Sequence, residues 1–228
     1  NYLDIYARLG GLETELSLPH IGGADISGVV TDIGNGVSGF SVGVRVVVNP
    51  RLWCGRCENC LKGEHSLCDD YTVIGWHMHG GFADYMLTPA SNLRIFSDSL
   101  AFEHASAIPL AFTTAWRMLM NRARLTLGED VLILGASGGV ATAALQIAKL
   151  AGARVIAVSS TDEKVGKLKD LGADAVINYH DADFEMATQD LTDGRGVDVV
   201  FQTLAGDTWQ KSLACAAKGG RVVVCSGI

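Results

Sequence analysis

The spacing of apolar positions divides the chain into two halves with different periods. In the first half, short runs rich in β-branched and aromatic residues stand between glycines and prolines, a pattern typical of strands joined by turns. Few stretches of helical period intervene. The pattern predicts a small antiparallel barrel or sandwich over residues 1–107, with strands within 25–34, 42–49 and 80–89.

The second half, residues 108–228, has another rhythm. Apolar segments of strand length alternate with amphipathic segments of helix length, several of which end at a glycine. Strands that alternate with helices form a doubly wound parallel sheet with right-handed crossovers, so we predict an α/β fold here. The predicted strands are 130–136, 154–160, 173–179, 197–203 and 221–227, and the predicted helices are 110–123, 139–152, 162–172, 183–194 and 207–220.

Composition and charge exclude several classes of function. A chain of 228 residues with 48% hydrophobic and 19% charged residues supports a packed core and argues against disorder. The net charge of −7 without a block of like charges argues against nucleic-acid or membrane-surface binding. We see no apolar run that would span a bilayer and no signal peptide, and therefore expect a cytoplasmic protein that acts on a small molecule.

Four of the six cysteines lie within residues 54–68, separated by two, two and seven residues. In a reducing compartment, clustered cysteines are more often metal ligands than disulfides. A disulfide pair and a loop without metal remain the alternatives. The candidate ligands are Cys54, Cys57, Cys60 and Cys68; Cys215 and Cys225 are predicted core residues.

A glycine-rich turn joins the first predicted strand of the second half to its helix. Its glycines have the spacing G135-x-x-G138-x-x-A141, a variant of the dinucleotide fingerprint. Gly138 would let the backbone approach a pyrophosphate, and the helix N-terminus would offer N–H groups to it. An ordinary tight turn is the alternative, but the strand, the helix and the following repeats favour nucleotide binding. The predicted contacts are Gly135, Ser137, Gly138, Gly139 and Val140.

The end of the second predicted strand indicates which nucleotide is bound. An NAD site carries Asp or Glu there to accept a hydrogen bond from the ribose 2′-hydroxyl. This chain has Ser159, Ser160 and Thr161 instead, and the small side chains leave room for a 2′-phosphate that Lys164 would neutralise. We therefore predict NADP(H), with NAD(H) as the alternative; a solvated surface lysine is the other interpretation of Lys164.

The cysteine cluster, the "GASGGVA" turn and the segment "LGADAVINY" together resemble the medium-chain dehydrogenase/reductase superfamily of zinc-binding alcohol dehydrogenases and quinone oxidoreductases. The resemblance implies a GroES-like catalytic domain over 1–107, with a structural zinc lobe at 50–70, and a Rossmann domain over 108–228. It also implies that the chain is a fragment that lacks the last Rossmann strand, and that the full-length protein is a homo-oligomer. The four cysteines match the structural zinc ligands, one zinc per chain.

The same resemblance indicates where a catalytic zinc would be held. Zinc-dependent members supply a cysteine, a histidine followed by glutamate, and a later cysteine or aspartate. The matching positions here are Asn1, Ala24 followed by Asp25, and Leu110. Since alanine and leucine cannot coordinate zinc, we expect no catalytic metal.

Catalysis would then depend on hydrogen-bond donors near the chain start. "NYLDIYARLG" resembles the pattern of zinc-independent quinone oxidoreductases. Asn1 and Tyr6 would donate to the substrate oxygen and Asp4 would orient them, although packing of Tyr6 and an ion pair of Asp4 with Arg8 are the alternatives. By resemblance, Thr114 lies beside the nicotinamide, Tyr179 near the 2′-phosphate, and Thr203 and Leu204 along the ribose.

These patterns predict an NADP-preferring oxidoreductase that transfers hydride to or from a quinone, enone, aldehyde or alcohol. The first alternative is an alcohol dehydrogenase whose catalytic zinc has unconventional ligands. His77 and His79, two residues apart, would be a conceivable metal pair on a strand but are better interpreted as a loop. The second alternative is a nucleotide-binding structural or regulatory protein without turnover.

Overall fold

The computed structural model describes residues 2–10, 16–204, 206 and 208–225. The chain forms two compact units that divide between Leu110 and Ala111. The sequence pattern predicts the domain boundary three residues earlier, between residues 107 and 108.

The first unit, residues 1–110, is built on a three-stranded antiparallel sheet in the order β1-β2-β5 and a two-stranded antiparallel pair, β3-β4. Along β2, Val46 and Val48 are buried while their neighbours are less so, because successive side chains of a strand point to opposite faces. The elements are α1 Tyr2–Leu9, β1 Ile26–Val29, β2 Arg45–Val48, β3 Arg51–Leu52, α2 Glu58–Leu61, β4 Thr72–Val73, β5 Leu93–Ile95 and α3 Phe102–Ser106, with short 3₁₀ turns at His65–Leu67 and Ala90–Asn92.

The strand predicted within 80–89 is wrong: this segment is irregular. Its alternation of apolar residues does not reflect burial, since Tyr85 is 77% and Leu87 is 95% exposed. The backbone of Gly80 and Gly81 instead hydrogen-bonds to the segment of residues 21–23 at 2.7 and 2.9 Å. Glycine is required there because a Cβ on Gly80 would lie 2.3 Å from a carbonyl oxygen.

The second unit, residues 111–228, confirms the predicted doubly wound sheet, with five parallel strands in the order β10-β9-β6-β7-β8. The sheet buries both faces, which is why β6 and β7 read as continuous apolar runs. The elements are α4 Ile108–Trp116, which contains the division between the units, a π-helical segment Arg117–Arg122, β6 Asp130–Ile133, α5 Gly139–Leu150, β7 Arg154–Ser159, α6 Asp162–Asp170, β8 Ala175–Asn178, α7 Phe184–Leu191, β9 Val197–Gln202, α8 Thr208–Ala214 and β10 Ala216–Val224.

The last predicted helix is too long. It ends at Ala214, and residues 216–220 open strand β10 instead. The register of β10 against β9 shifts between Ala216 and Arg221. Gly219, at φ +81°, lies within this irregularity, in a backbone conformation that an α-helix does not contain. Gly219 and Gly220 therefore belong to an irregular strand and do not end a helix.

Ion pairs tie together the amino ends of β6 and β9. Arg195 donates to Asp198 at 2.7 Å and to Asp130 at 2.8 Å. Arg221 makes a bidentate pair with Glu129, both distances being 2.8 Å. The hydrogen bonds from Arg195 and Arg221 hold the pKa values of the Asp198 and Glu129 carboxyls below their usual range.

Candidate functional site

The four clustered cysteines meet in space. Their sulfur atoms all lie within 4.8 Å of one another, and the Sγ atoms of Cys54 and Cys60 are 3.9 Å apart. A tetrahedral zinc ion with Zn–S bonds of about 2.3 Å requires sulfur atoms about 3.8 Å apart. The cluster therefore fits a zinc ion, and it is the one group of three or more such ligands found across residues 2–10, 16–204, 206 and 208–225.

The backbone around Cys54 is shaped to stabilise a thiolate at that residue. Gly55, at φ +71°, turns the backbone so that the N–H groups of Arg56 and Cys57 donate to Cys54 Sγ at 3.5 and 3.3 Å. These backbone donors lower the pKa of the Cys54 thiol to about 6, since they stabilise its charged form. Cys60 lies on α2. Four such ligands would leave no open position on a tetrahedral ion, as in zinc sites of the structural type.

The glycine turn between β6 and α5 forms a cradle for an anionic group. Gly135 is at φ +66°, and a Cβ added there would lie 2.7 Å from Thr203 Oγ1. Gly138 is the N-cap of α5, and the first intrahelical bond is donated by Thr142 to its carbonyl at 2.8 Å. The N–H groups of the three residues between Gly138 and Thr142 have no carbonyl acceptor within the helix. They therefore point out of the helix N-terminus, where a ligand can accept from them. The turn thus suits a phosphate.

The carboxyl end of β7 carries the hydroxyl side chains predicted to accommodate the ribose. Ser159 is 2% exposed, and within the described residues its hydroxyl has no hydrogen-bond partner. Lys164 Nζ donates to Ser160 Oγ at 3.3 Å, and Thr161 caps α6. A buried unpaired hydroxyl is costly, so its position beside the glycine turn fits a site completed by a bound nucleotide. Asp162 accepts from an asparagine side chain at 3.2 Å.

A cavity of about 450 Å³ opens at the carboxyl ends of β6, β7 and β9, on the face of the sheet covered by α7 and α8. Its size is ordinary for a small-molecule or cofactor site. Most of its walls are apolar, and one ion pair, between Lys211 and Asp183, interrupts them. The lining residues are Leu134, Val158, Tyr179, Ala182, Asp183, Phe184, Leu204, Thr208 and Lys211.

The structure brings most predicted nucleotide contacts of the second unit to this one edge of the sheet. Thr203 Oγ1 donates to the carbonyl of Leu134 at 2.9 Å, at the ends of β9 and β6. Tyr179 and Leu204 line the cavity. Thr114 lies on α4, where its side chain is half-buried. The nucleotide-contact roles of these residues remain predictions.

Two of the three predicted catalytic residues, Asp4 and Tyr6, lie on α1. Asn1 is outside the described residues. Asp4 Oδ1 accepts from the backbone N–H of Gly23 at 2.9 Å and so holds the turn that precedes Ala24. Tyr6 packs on the apolar cluster around Trp76, with its ring 4.9 Å from that of Tyr2. This geometry gives Asp4 a structural contact and matches the packing alternative for Tyr6.

Two of the described positions that match catalytic zinc ligands carry side chains without a donor atom for a metal. Ala24 is fully buried and Leu110 is 9% exposed. The turn before Ala24 is packed tightly, since a Cβ on Gly23 would lie 2.8 Å from Phe82. Asp25, the residue at the glutamate position, is half-buried. An alanine and a leucine provide no donor atom, so the residues at these positions do not fit a zinc ion.

His77 and His79 lie in irregular backbone and not on a strand, as the preferred interpretation of the sequence had them. His77 Nδ1 accepts from the backbone N–H of Val73 at 2.9 Å, and His79 Nδ1 accepts from that of Ile21 at 3.2 Å. The ring of His79 lies 5.8 Å from the ring of His20. Each of these two histidines therefore accepts a backbone hydrogen bond that gives it a structural contact.

Among the residues that line the cavity, sequence reasoning predicted only Tyr179 and Leu204 and missed the others, including the charged pair. Asp183 is the N-cap of α7, accepting at Oδ1 from Glu185 at 2.9 Å, and Lys211 lies on α8. Phe184 is buried beside them. An aspartate before a helix is a signal for a cap, but the sequence contains no sign that α8 brings a lysine to it from 28 positions away.

Among the described helices, none is long and apolar enough to cross a membrane.

Comparisons with known proteins agree with this arrangement. The family model of the alcohol dehydrogenase GroES-like domain matches residues 1–97, and that of the zinc-binding dehydrogenase matches residues 139–228. The crystal structure of an NAD-dependent alcohol dehydrogenase is 44% identical, with a TM-score of 0.95 over all of this chain and 67% of its own.

Curated relatives include both alcohol dehydrogenases and quinone oxidoreductases. A zinc-type alcohol dehydrogenase-like protein of Schizosaccharomyces pombe is 34% identical over 97% of this chain and 63% of its own length. The quinone oxidoreductase of Rattus norvegicus is 29% identical over the whole chain and 62% of its own length. The present chain thus spans somewhat less than two thirds of these relatives. It belongs, as its motifs predicted, to the medium-chain dehydrogenase/reductase superfamily.

Proposed function

We propose that this chain is the greater part of an NADP(H)-dependent oxidoreductase with a structural zinc and no catalytic zinc. Its substrate class is a quinone, enone, aldehyde or alcohol. The observation that carries the proposal is the contrast between two metal positions. Four sulfur atoms converge in the cysteine loop, whereas the described residues at the catalytic zinc positions include a fully buried alanine and a buried leucine.

The second unit supports the nucleotide. The N-terminus of α5 would hold the pyrophosphate, and the end of β7 would hold the adenosine ribose. The orphaned Ser159 hydroxyl and the cavity that begins at Val158 both support binding of a nucleoside at this edge. Bound nicotinamide supplies hydride transfer at its C4 carbon.

The preference for NADP(H) rests on the charges at the end of β7. The Nζ atom of Lys164 donates a hydrogen bond to Ser160 Oγ at 3.3 Å. This places the ammonium group next to the position where an NAD site has its carboxylate. The nearest acidic side chains have other partners: Asp162 is bonded to Asn178, and Glu163 is paired with Lys167 at 2.7 Å. Because one relative is named an NAD-dependent alcohol dehydrogenase, the nucleotide must be tested directly.

Without a metal, the protein must stabilise the negative charge that builds on the substrate oxygen by hydrogen bonds. Quinones and enones require the least help because their oxyanions are delocalised, and the rat quinone oxidoreductase is among the relatives. Asn1 and Tyr6 are the proposed donors. Asp4 would act through the turn at Gly23 that it holds.

The metal content and turnover of the purified protein test this function together. We expect one zinc per chain, removable by a thiol-competing chelator, and oxidation of NADPH by a quinone or enone. Two zinc ions per chain would contradict the proposal and support the alcohol dehydrogenase with unconventional ligands. Tight binding of NADPH without oxidation by any quinone, enone or aldehyde would support the non-catalytic alternative instead.

A further inference from the structure

A backbone hydrogen bond to His79 determines which of its two ring nitrogens carries the proton. The N–H group of Ile21 donates to His79 Nδ1 at 3.2 Å, so Nδ1 must present a lone pair. In a neutral imidazole one nitrogen accepts and the other donates, and the proton therefore lies on Nε2. Protonation of Nδ1 would remove the acceptor, so only the neutral ring makes this bond. His79 is exposed, and its Nε2–H group can therefore donate to a ligand.

The backbone next to His79 is fixed against the same segment of the chain. Gly80 donates its N–H group to the carbonyl of Ile21 at 2.7 Å. A Cβ on Gly80 would lie 2.3 Å from the carbonyl oxygen of Gly23, so the two segments approach each other more closely than a side chain would allow. Both the ring and the backbone of His79 are thus held by residues 21–23, and the imidazole is oriented before a ligand arrives.

Residues 21–23 lead directly into Ala24, the position that matches the histidine ligand of a catalytic zinc. A catalytic zinc keeps an open position that takes the substrate oxygen and stabilises its negative charge. Ala24 has no donor atom for a metal, so in this chain a different group must stabilise that charge. His79 brings an N–H donor to the segment beside this position.

The chemistry of the proposed reaction requires such a donor. When the substrate accepts hydride, an electron pair moves onto the carbonyl oxygen, and the resulting oxyanion then takes a proton from water. The Nε2–H group stabilises the oxyanion by a hydrogen bond and keeps its own proton. A neutral imidazole whose other nitrogen faces backbone N–H groups can polarise a carbonyl in this way. We propose that His79 is a catalytic residue that donates from Nε2 to the substrate oxygen, an inference that rests on the proposed oxidoreductase function.

Two other histidines near His79 have different neighbours. His77 is also exposed, but its Nδ1 accepts from the N–H group of Val73 in β4 at 2.9 Å, so its ring is held by its own loop. The ring of His20 lies 5.8 Å from that of His79. Its Nε2 atom is 3.0 Å from the carbonyl oxygen of Gly75, which can only accept, so the Nε2–H group of His20 is already used. The inference therefore assigns the substrate contact to His79.

Two substitutions of His79 separate its donor from its structural contact. His79→Asn keeps an acceptor close to the position of Nδ1 but has no donor at that of Nε2, whereas His79→Gln extends an amide N–H group toward Nε2 and lacks the Nδ1 acceptor. Steady-state oxidation of NADPH by menadione, a quinone, and by cyclohexenone, an enone, measures the difference. His79→Asn should lower kcat at least about tenfold and change KM by less than about threefold. His79→Gln should keep a higher kcat than His79→Asn.

His77→Asn is the matched control, because it makes the same change in a histidine that is held by a different segment. It should leave kcat unchanged. Nitrogen-15 nuclear magnetic resonance of the imidazole side chains gives a result that is independent of turnover, and it should show the His79 proton on Nε2. Circular dichroism checks that each variant is folded, and His79→Ala replaces His79→Asn if the latter is not.

A kcat of His79→Asn equal to that of the unaltered protein would overturn the inference. A lower kcat for His79→Gln than for His79→Asn would do the same, since the contact with Ile21 would then be the part of His79 that matters. The inference would also be wrong if the His79 proton were found on Nδ1. These three outcomes leave the proposed oxidoreductase function intact, whereas an unaltered protein that oxidises NADPH with neither menadione nor cyclohexenone would overturn both.

Discussion

Replacing Gly135 by alanine should destabilise the second unit, and the cost can be worked out from the geometry of the turn. Gly135 has φ +66°, where an L-residue costs about 1–2 kcal/mol. A Cβ there would lie 2.7 Å from Thr203 Oγ1 and 3.0 Å from a methyl carbon of Leu204. Overpacking of this kind costs about 1–3 kcal/mol. Displacing Thr203 would also stretch its 2.9 Å hydrogen bond to Leu134, worth about 1 kcal/mol.

We therefore expect Gly135→Ala to lower the free energy of unfolding by about 3–6 kcal/mol, a large effect for one methyl group. Gly139→Ala is the matched control, four residues away in the same turn and helix. A Cβ on Gly139 has no neighbour within 4 Å, and the residue is helical, so alanine should be neutral or stabilising by up to about 1 kcal/mol.

Urea unfolding of the two variants and the parent chain, followed by far-ultraviolet circular dichroism, measures the difference. The reasoning would be refuted if Gly135→Ala unfolded within about 0.5 kcal/mol of the parent, the range of an ordinary surface substitution. A Gly139→Ala variant as unstable as Gly135→Ala would refute it equally, because the close approach to Thr203 would then not be the cause.

Three further predictions concern the metal, the ion pairs and the nucleotide. Cys60→Ser should abolish stoichiometric zinc binding measured by atomic emission, whereas Cys225→Ser, which changes the thiol after β10, should keep one zinc per chain. Glu129→Gln should cost about 1–2 kcal/mol at pH 7. Because the pairing with Arg221 lowers the pKa of Glu129, this contribution is present above the usual carboxyl pKa near 4 and is lost as the pH falls further, so the parent and variant should converge in acid unfolding experiments. Ser160→Asp should weaken NADPH binding at least tenfold and strengthen NADH binding in fluorescence titrations, and unchanged selectivity would contradict the assignment of the ribose site.

Sequence periodicity predicted the parallel sheet well because its three central strands, β6, β7 and β9, are largely buried on both faces. Because β6 and β7 are buried on both faces, their sequences are nearly continuous apolar runs. The glycine turn after β6 could be predicted because its glycine spacing is typical of a strand-to-helix turn that approaches a phosphate. The cysteine cluster could also be predicted, since its ligands are close in sequence and only short turns are needed to bring the four sulfur atoms within 4.8 Å.

The same reasoning failed where spacing alone does not determine structure. The apolar residues of 80–89 alternate as in a strand, yet the glycines at 80 and 81 pack against another glycine turn and Leu87 stays exposed. The "GG" at 219–220 has the pattern of a helix end, yet it lies in an irregular strand. The pairing of Asp183 with Lys211 depends on how α7 and α8 pack on the sheet, and no local pattern encodes that.

The central claim is that the second unit holds NADP(H) at the carboxyl edge of its parallel sheet. Titration of the purified chain with NADPH and with NADH, monitored by nucleotide fluorescence, tests it most directly. The account predicts saturation at one NADPH per chain with a dissociation constant at least about tenfold lower than that for NADH, as expected for a phosphate paired with one lysine. Tighter binding of NADH than of NADPH, or no saturable binding of either nucleotide, would contradict it.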